Sequence, residues 1–196
     1  MSVVEIHEVN DEICDKINAL PEDTVLSFDD GLYTQYLYKD KIKLKNRIYA
    51  ICPALVNTAN DQVEDFVICY DAMYTHFYDD SNKYYMNVNN IKQLITDGYK
   101  IAAHSNTHET IKYAVKNPKY FKKIPEIENY SFIAWKGNYW VKNDTEALLK
   151  WFKEQLDLVP TIYVYPFDEK TDKTEELLKT LGFTEFYGSD RASLAQ

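Results

Sequence analysis

Short apolar runs that stop at polar corners, with stretches of helical periodicity between them, limit how this chain folds. Residues 24–28 (TVLSF) lie between Pro21 and the corner Asp29-Asp30-Gly31, and residues 47–53 (RIYAICP) have the same character. Both read as buried strands. Residues 87–97 place Val88, Ile91, Leu94 and Ile95 at helical spacing, opening on an asparagine and stopping at Gly98. A strand-like run, 99–103 (YKIAA), follows at once and delivers His104-Ser-Asn-Thr-His108 at its carboxyl end. The order then repeats. Residues 144–156 carry Ala147, Leu148, Trp151 and Phe152 at helical spacing, Pro160 ends that stretch, and 161–165 (TIYVY) read as a strand. Residues 174–181 form another helix stopped by Gly182, and 183–187 open a last strand. Strands alternating with helices specify an α/β fold with a parallel sheet or barrel, in which functional groups gather at the carboxyl ends of strands.

The polar residues sit where that rule places them. Asp29 and Asp30 follow one strand, His104 and His108 a second, and the Pro166-Phe167-Asp168 corner a third. Two histidines four residues apart share one side if their segment makes a helical turn, and neutral imidazoles so placed can share a metal ion. A carboxylate added to them leaves coordination positions open for water and substrate, as a catalytic site requires. Asp-Asp-Gly is also ordinary turn chemistry, its side chains bonding backbone amides. Successive side chains of an extended segment point opposite ways, so two functional aspartates here would have different roles.

Composition removes several classes of function. With 196 residues, 45% hydrophobic and 27% charged, the chain matches one globular domain spanning 1–196, with no linker or repeat to divide it. A net charge of −9 argues against nucleic acid as a partner, because affinity for phosphates rests on Lys and Arg. The densest basic run, 39–47 (KDKIKLKNR), alternates charge with Ile42 and Leu44 and reads as an amphipathic, partly exposed segment. No apolar run approaches the roughly 20 residues of a membrane span, so no membrane partner is expected. The start, MSVVEIHEVNDEICDKI, lacks a basic stretch followed by an apolar core, from which a cytoplasmic location is expected. Cys14, Cys52 and Cys69 are odd in number and irregularly spaced, so each is expected to be a small buried hydrophobe in a reducing compartment.

Ser27-Phe-Asp-Asp-Gly31 resembles the TFDDG motif of the NodB-type polysaccharide deacetylases, carbohydrate esterase family four, and the HSNTH at 104–108 resembles that family's HSxxH. The intervening order is also similar: 47–53 stand where the family has an ATFF-like strand. IKQLITDGYKIAAHSNTH resembles its approach to the histidines, and Tyr165-Pro-Phe167 with TEELLKTLGF its third motif and trailing helix. The resemblance spans roughly residues 24–190. It implies a distorted (β/α) barrel in which Asp30, His104 and His108 hold a divalent metal, usually zinc. It further implies Asp29 as general base and the backbone N–H near Phe167 as an oxyanion donor. The implied reaction is metal-dependent hydrolysis of an N-acetyl or related acyl group on an N-acetylated saccharide.

Some family features are missing. Tyr163-Val-Tyr-Pro-Phe carries no arginine before its proline, no histidine follows His108, and the Asp-Trp motif has no clear counterpart, although Trp135 and Trp140 lie in the expected stretch. His7 and His76 carry no signal that assigns them a role. Tyr33, Tyr36, Trp135 and Trp140 are groove candidates, but most aromatics of a chain like this serve the core. Two further readings follow: a pseudoenzyme that binds carbohydrate or acts as a scaffold, and a deacylase of a small intracellular metabolite.

Overall fold

The structure, a computed structural model, describes residues 2–108, 133–170 and 172–194, with side chains described from 141 onward in the second span. The elements run β1 (Val3–Ile6), α1 (Asp11–Asn18), β2 (Val25–Phe28), α2 (Tyr33–Leu37), β3 (Arg47–Ile51), α3 (Cys69–Asp79), α4 (Val88–Thr96) and β4 (Lys100–Ala103). They continue with α5 (Ile133–Leu156), β5 (Ile162–Val164), α6 (Asp172–Thr180), β6 (Glu185–Tyr187) and β7 (Ala192–Ser193). Every strand expected from the sequence is present within a residue or two at each end. The helix expected at 144–156 begins earlier, at Ile133. The acidic N-terminus contributes a strand and a helix beyond those expected from the sequence. Asn10 caps that helix, its side chain accepting from the Ile13 amide at 2.8 Å.

All strand pairs are parallel, and the sheet order is β6-β5-β4-β3-β2-β1-β7. Six spacings of about 4.8 Å would set the edges of a flat sheet roughly 29 Å apart. Yet only residues 188–191 join the two edge strands, a reach of no more than about 18 Å. The sheet therefore has to curl, and the result is the half-closed, distorted form of a (β/α) barrel expected from the sequence.

Successive strand residues face opposite ways and build two apolar layers. Leu26, Phe28, Tyr49, Ile51, Ala103 and Tyr163 join Ile17, Ile91, Leu94, Phe152 and Leu178 from the helices in the main core. Their strand neighbours Ile48, Ala50, Ala102, Ile162 and Val164 form a second cluster with no helical member, which lines the concave side. The basic run behaves as its alternation predicts: Ile42 and Leu44 are buried while Lys41, Lys43 and Lys45 are exposed. Arg47 is buried there, donating to the carbonyls of Lys39, Ile42 and Leu44. No described helix is long and apolar enough to cross a membrane.

On the concave side one cation ties the curl together. Arg191, between the two edge strands, donates from NH2 to Glu5 Oε1 of β1 at 2.9 Å and to Asp168 Oδ1 after β5 at 2.7 Å. Its NH1 serves Ser27 Oγ at 3.0 Å and Asp29 Oδ2 at 2.7 Å, and Nε reaches the Gly188 carbonyl at 3.3 Å. A guanidinium has five N–H donors, and each has an acceptor here. The side chain is 1% exposed. Burial works against its charge, but the carboxylates of Asp29, Asp168 and Glu5 more than compensate, and its pKa is raised. Breaking such a buried cluster from one side leaves uncompensated charge, a loss of about 3–5 kcal/mol. Arg191→Met is accordingly expected to lower unfolding free energy by that amount in urea titrations. Arg191→Lys should recover part of it, since three donors cannot serve five acceptors. A methionine variant as stable as the parent would overturn this closing role.

Candidate active site

Asp29, Asp30 and Gly31 turn the chain sharply at the end of β2. Asp30 and Gly31 both have left-handed backbone, φ 71° and 77°, and a Cβ on Gly31 would meet Ile51 Cδ1 at 3.3 Å, so glycine is required there. The turn sends the two aspartates to different partners. Asp29, continuing the concave face of Ser27, accepts from Ser27 Oγ at 2.8 Å and from Arg191. Asp30 points instead at the histidines.

His104 and His108 do not share a helical turn; residues 104–108 form a bent loop in which Ser105 and His108 both have φ 55°. The loop brings the rings to 4.8 Å between centroids nonetheless. Asp30 Oδ1 lies 2.9 Å from His108 Nε2 and 3.2 Å from His104 Nε2. His104 Nδ1 sits 2.9 Å from the Val164 carbonyl, which only accepts, so Nδ1 carries the proton. A neutral His104 then turns the Nε2 lone pair toward a carboxylate oxygen. Two acceptors face each other, an arrangement that calls for a cation between them. All three side chains are buried, their ligand atoms lie within 4.8 Å of one another, and both Asp30 oxygens lack a hydrogen bond. The donor set of two imidazoles and a carboxylate fits zinc with coordination positions left open.

The charges agree with this fit at Asp30 and His108, and run against it at His104. Burial opposes ionisation of Asp30, but the adjoining His108 and His104 hold its carboxyl well below the usual range. Burial pushes His108 down, toward the neutral ligand form. At His104 burial acts the same way but is outweighed by the adjoining Asp30 carboxylate and the charge of Asp29, which raise it.

Phe167 lies on the corner after β5 with φ 55°, its ring edge-on to His108 at 4.9 Å between centroids. Eight described non-glycine residues have positive φ, and five of them, Asp30, Ser105, His108, Phe167 and Asp168, belong to these corners. Such conformations each cost on the order of 1–3 kcal/mol and persist where surrounding contacts enforce them. The corners open onto a groove of about 950 Å³, lined among others by Glu5, His7, Glu8, Asp29, Asp30, Cys69, His104, His108 and Phe167.

Three groups in or behind this groove carry no functional signal in the sequence. Arg191 reaches Asp29 from the end of the chain, where no local motif marks it. His7 stands with Nε2 4.0 Å from Asp30 Oδ2. Cys69 is partly exposed on the groove wall, not buried as expected, while Cys14 and Cys52 are buried. His76 bonds Asn82 and does not line the groove, nor do Tyr33 and Tyr36. The side chains of Trp135 and Trp140 lie outside the described residues.

Asp144, in α5, holds the histidine loop from behind. Its Oδ2 accepts from the Asn106 amide at 2.7 Å and its Oδ1 from Thr107 Oγ1 at 3.1 Å. Burial pushes its carboxyl up to about 6 from 3.8, against those hydrogen bonds. The folded protein thus holds this proton more tightly than the unfolded chain, so the group favours folding below pH 3.8 and that contribution is lost as pH rises through about 6. The difference in unfolding free energy between the parent and Asp144→Asn should therefore shrink by up to about 3 kcal/mol from acid to neutral pH. Denaturant titrations of both proteins across that range measure it, and a difference that grows with pH would contradict the assignment.

Neither a family model nor a curated relative matches the sequence. Solved structures do match in fold. IcaB from Ammonifex degensii superposes with a TM-score of 0.63 at 18% identity, over 98% of this chain and 84% of that one. A de-N-acetylase from Aggregatibacter actinomycetemcomitans gives 0.61 at 15% identity, over 98% and 92% of the two chains. A polysaccharide deacetylase from Bacillus cereus gives 0.53 at 13%, over 98% and 64%. The chain has the polysaccharide deacetylase fold, with Asp30, His104 and His108 brought together at the carboxyl ends of its strands.

Proposed function

We propose that this protein is a metal-dependent hydrolase that removes an N-acetyl or related acyl group from a saccharide. The observation that carries the reading is the convergence of Asp30, His104 and His108 in the floor of an open groove, with Asp29 beside them. When bound to those three residues, zinc would supply Lewis acidity toward the acyl carbonyl and bring the pKa of water toward about 7.

The chain's own residues do the rest. Asp29 is the base, taking the proton of the attacking water. Arg191 and Ser27 fix the direction of its two oxygens. The backbone N–H of Phe167 donates to the oxyanion that develops on the carbonyl. Water and amide become acetate and a free amine. Among the described lining residues Glu5, Glu8, Glu12 and Asp168 outnumber one lysine, Lys16, which supports a neutral or cationic glycan over a polyanionic one. Phe66, Ile68 and Tyr70, exposed on the rim, offer apolar faces to sugar rings.

The same fold used as a carbohydrate-binding module is the second reading. It draws on the engagement of both Asp29 oxygens by Ser27 and Arg191. Acetate release from N-acetylated oligosaccharides separates the two. Full removal of metal with a chelator should abolish turnover, and Asp29→Asn should lower kcat by roughly 10²–10⁴-fold with metal content unchanged. Turnover that survives complete metal removal would refute the hydrolase as described; metal without acetate from any such substrate would select the binding module.

A further inference from the structure

Among the described residues, two more groups of ligating side chains adjoin the metal set. Glu5, His7 and Asp29 form one, but its centre is served already, because Arg191 donates to both Glu5 and Asp29. A guanidinium leaves no room in charge or space for a second cation there. His7, Asp30 and Cys69 form the other, with ligand atoms within 4.8 Å of one another. Ligand atoms on a tetrahedral zinc, with bonds of roughly 2.0–2.3 Å, stand about 3.3–3.8 Å apart, so the three would draw in by about an ångström around a cation.

The carboxylate of Asp30 is the independent sign that something belongs there. It is 1% exposed, and its Oδ1 is turned to His104 and His108. Its other oxygen, Oδ2, is buried, makes no hydrogen bond, and has His7 Nε2 at 4.0 Å. A buried carboxylate oxygen with no donor is unfavourable unless a cation meets it. Cys69 closes the group from the first turn of α3, its amide donating to Glu8 Oε2 at 3.3 Å. His7 Nε2 also has Glu5 Oε1 at 3.8 Å, so this nitrogen faces carboxylate oxygen on two sides. All three line the groove.

We propose that His7, Asp30 and Cys69 form a second divalent-cation site, with Asp30 bridging it to the cation held by His104 and His108. A thiol and an imidazole select zinc or cobalt over magnesium or calcium. Binding there replaces the thiol proton, which leaves to solvent as the sulfur–metal bond forms. The two cations would face one groove across a shared carboxylate, the arrangement of two-metal hydrolases.

Cobalt(II) reports on each site separately, since a thiolate ligand adds a near-ultraviolet charge-transfer band that imidazole and carboxylate do not. Metal-stripped full-length protein titrated with cobalt should bind two equivalents and develop that band. Cys69→Ser should bind one equivalent with no band, while keeping the visible bands of the cation on His104 and His108. His7→Gln should likewise lose one equivalent, which preserves the test if the serine variant misfolds by circular dichroism. Saturation at one equivalent without a thiolate band, or a band unchanged in Cys69→Ser, would overturn the second site. The inference shares Asp30 with the function proposed above, and the failures differ: no bound cobalt sinks both, whereas one equivalent with visible bands and no thiolate band sinks the second site alone.

Discussion

The concave side of this sheet depends on one buried cation. Arg191 gathers acceptors from β1, from β2, from the corner after β5 and from its own loop, and so joins segments that lie far apart in the order of the sheet. The apolar layers alone do not specify how far the sheet curls. A guanidinium with five fixed donors does, because each acceptor must come to its own direction and distance. The same contacts set the orientation of Asp29, so closure of the barrel and preparation of the site are one event.

The candidate metal-binding corners are held in backbone conformations that most residues avoid. Asp30, His108 and Phe167 all have positive φ, and none is glycine. Neighbours enforce them: Gly31 allows the close approach of Ile51, Asp144 grips Asn106 and Thr107, and Val164 fixes the His104 ring. Strain at these corners is balanced by packing elsewhere, as expected where geometry matters more than local stability. The buried acid of Asp144 shows the same exchange, since its carboxyl is held out of water in order to anchor a loop.

Much of this was readable in the chain. Apolar runs of strand length and helices with clear stops were legible because each depends on neighbours within a few residues. Asp30, His104 and His108 were legible because paired histidines and a carboxylate each follow a strand. The N-terminal strand and helix were not, since β1 is short and its sequence VVEI carries a charged residue that proves to face the concave side. The resemblance, drawn over residues 24–190, stopped short of both Glu5 and Arg191.

The sequence by itself determined the alternation of strands and helices, the corners that bear the polar residues, and the chemical types available at each. Those properties are local, set by periodicity and by glycine and proline. Only the tertiary structure decided that Arg191 meets Asp29, 162 positions away, that Asp144 holds the histidine loop, and that His7 and Cys69 flank Asp30. Such pairings arise where the curled sheet brings its edges together, and nothing in the spacing of residues along the chain encodes a distance across a barrel.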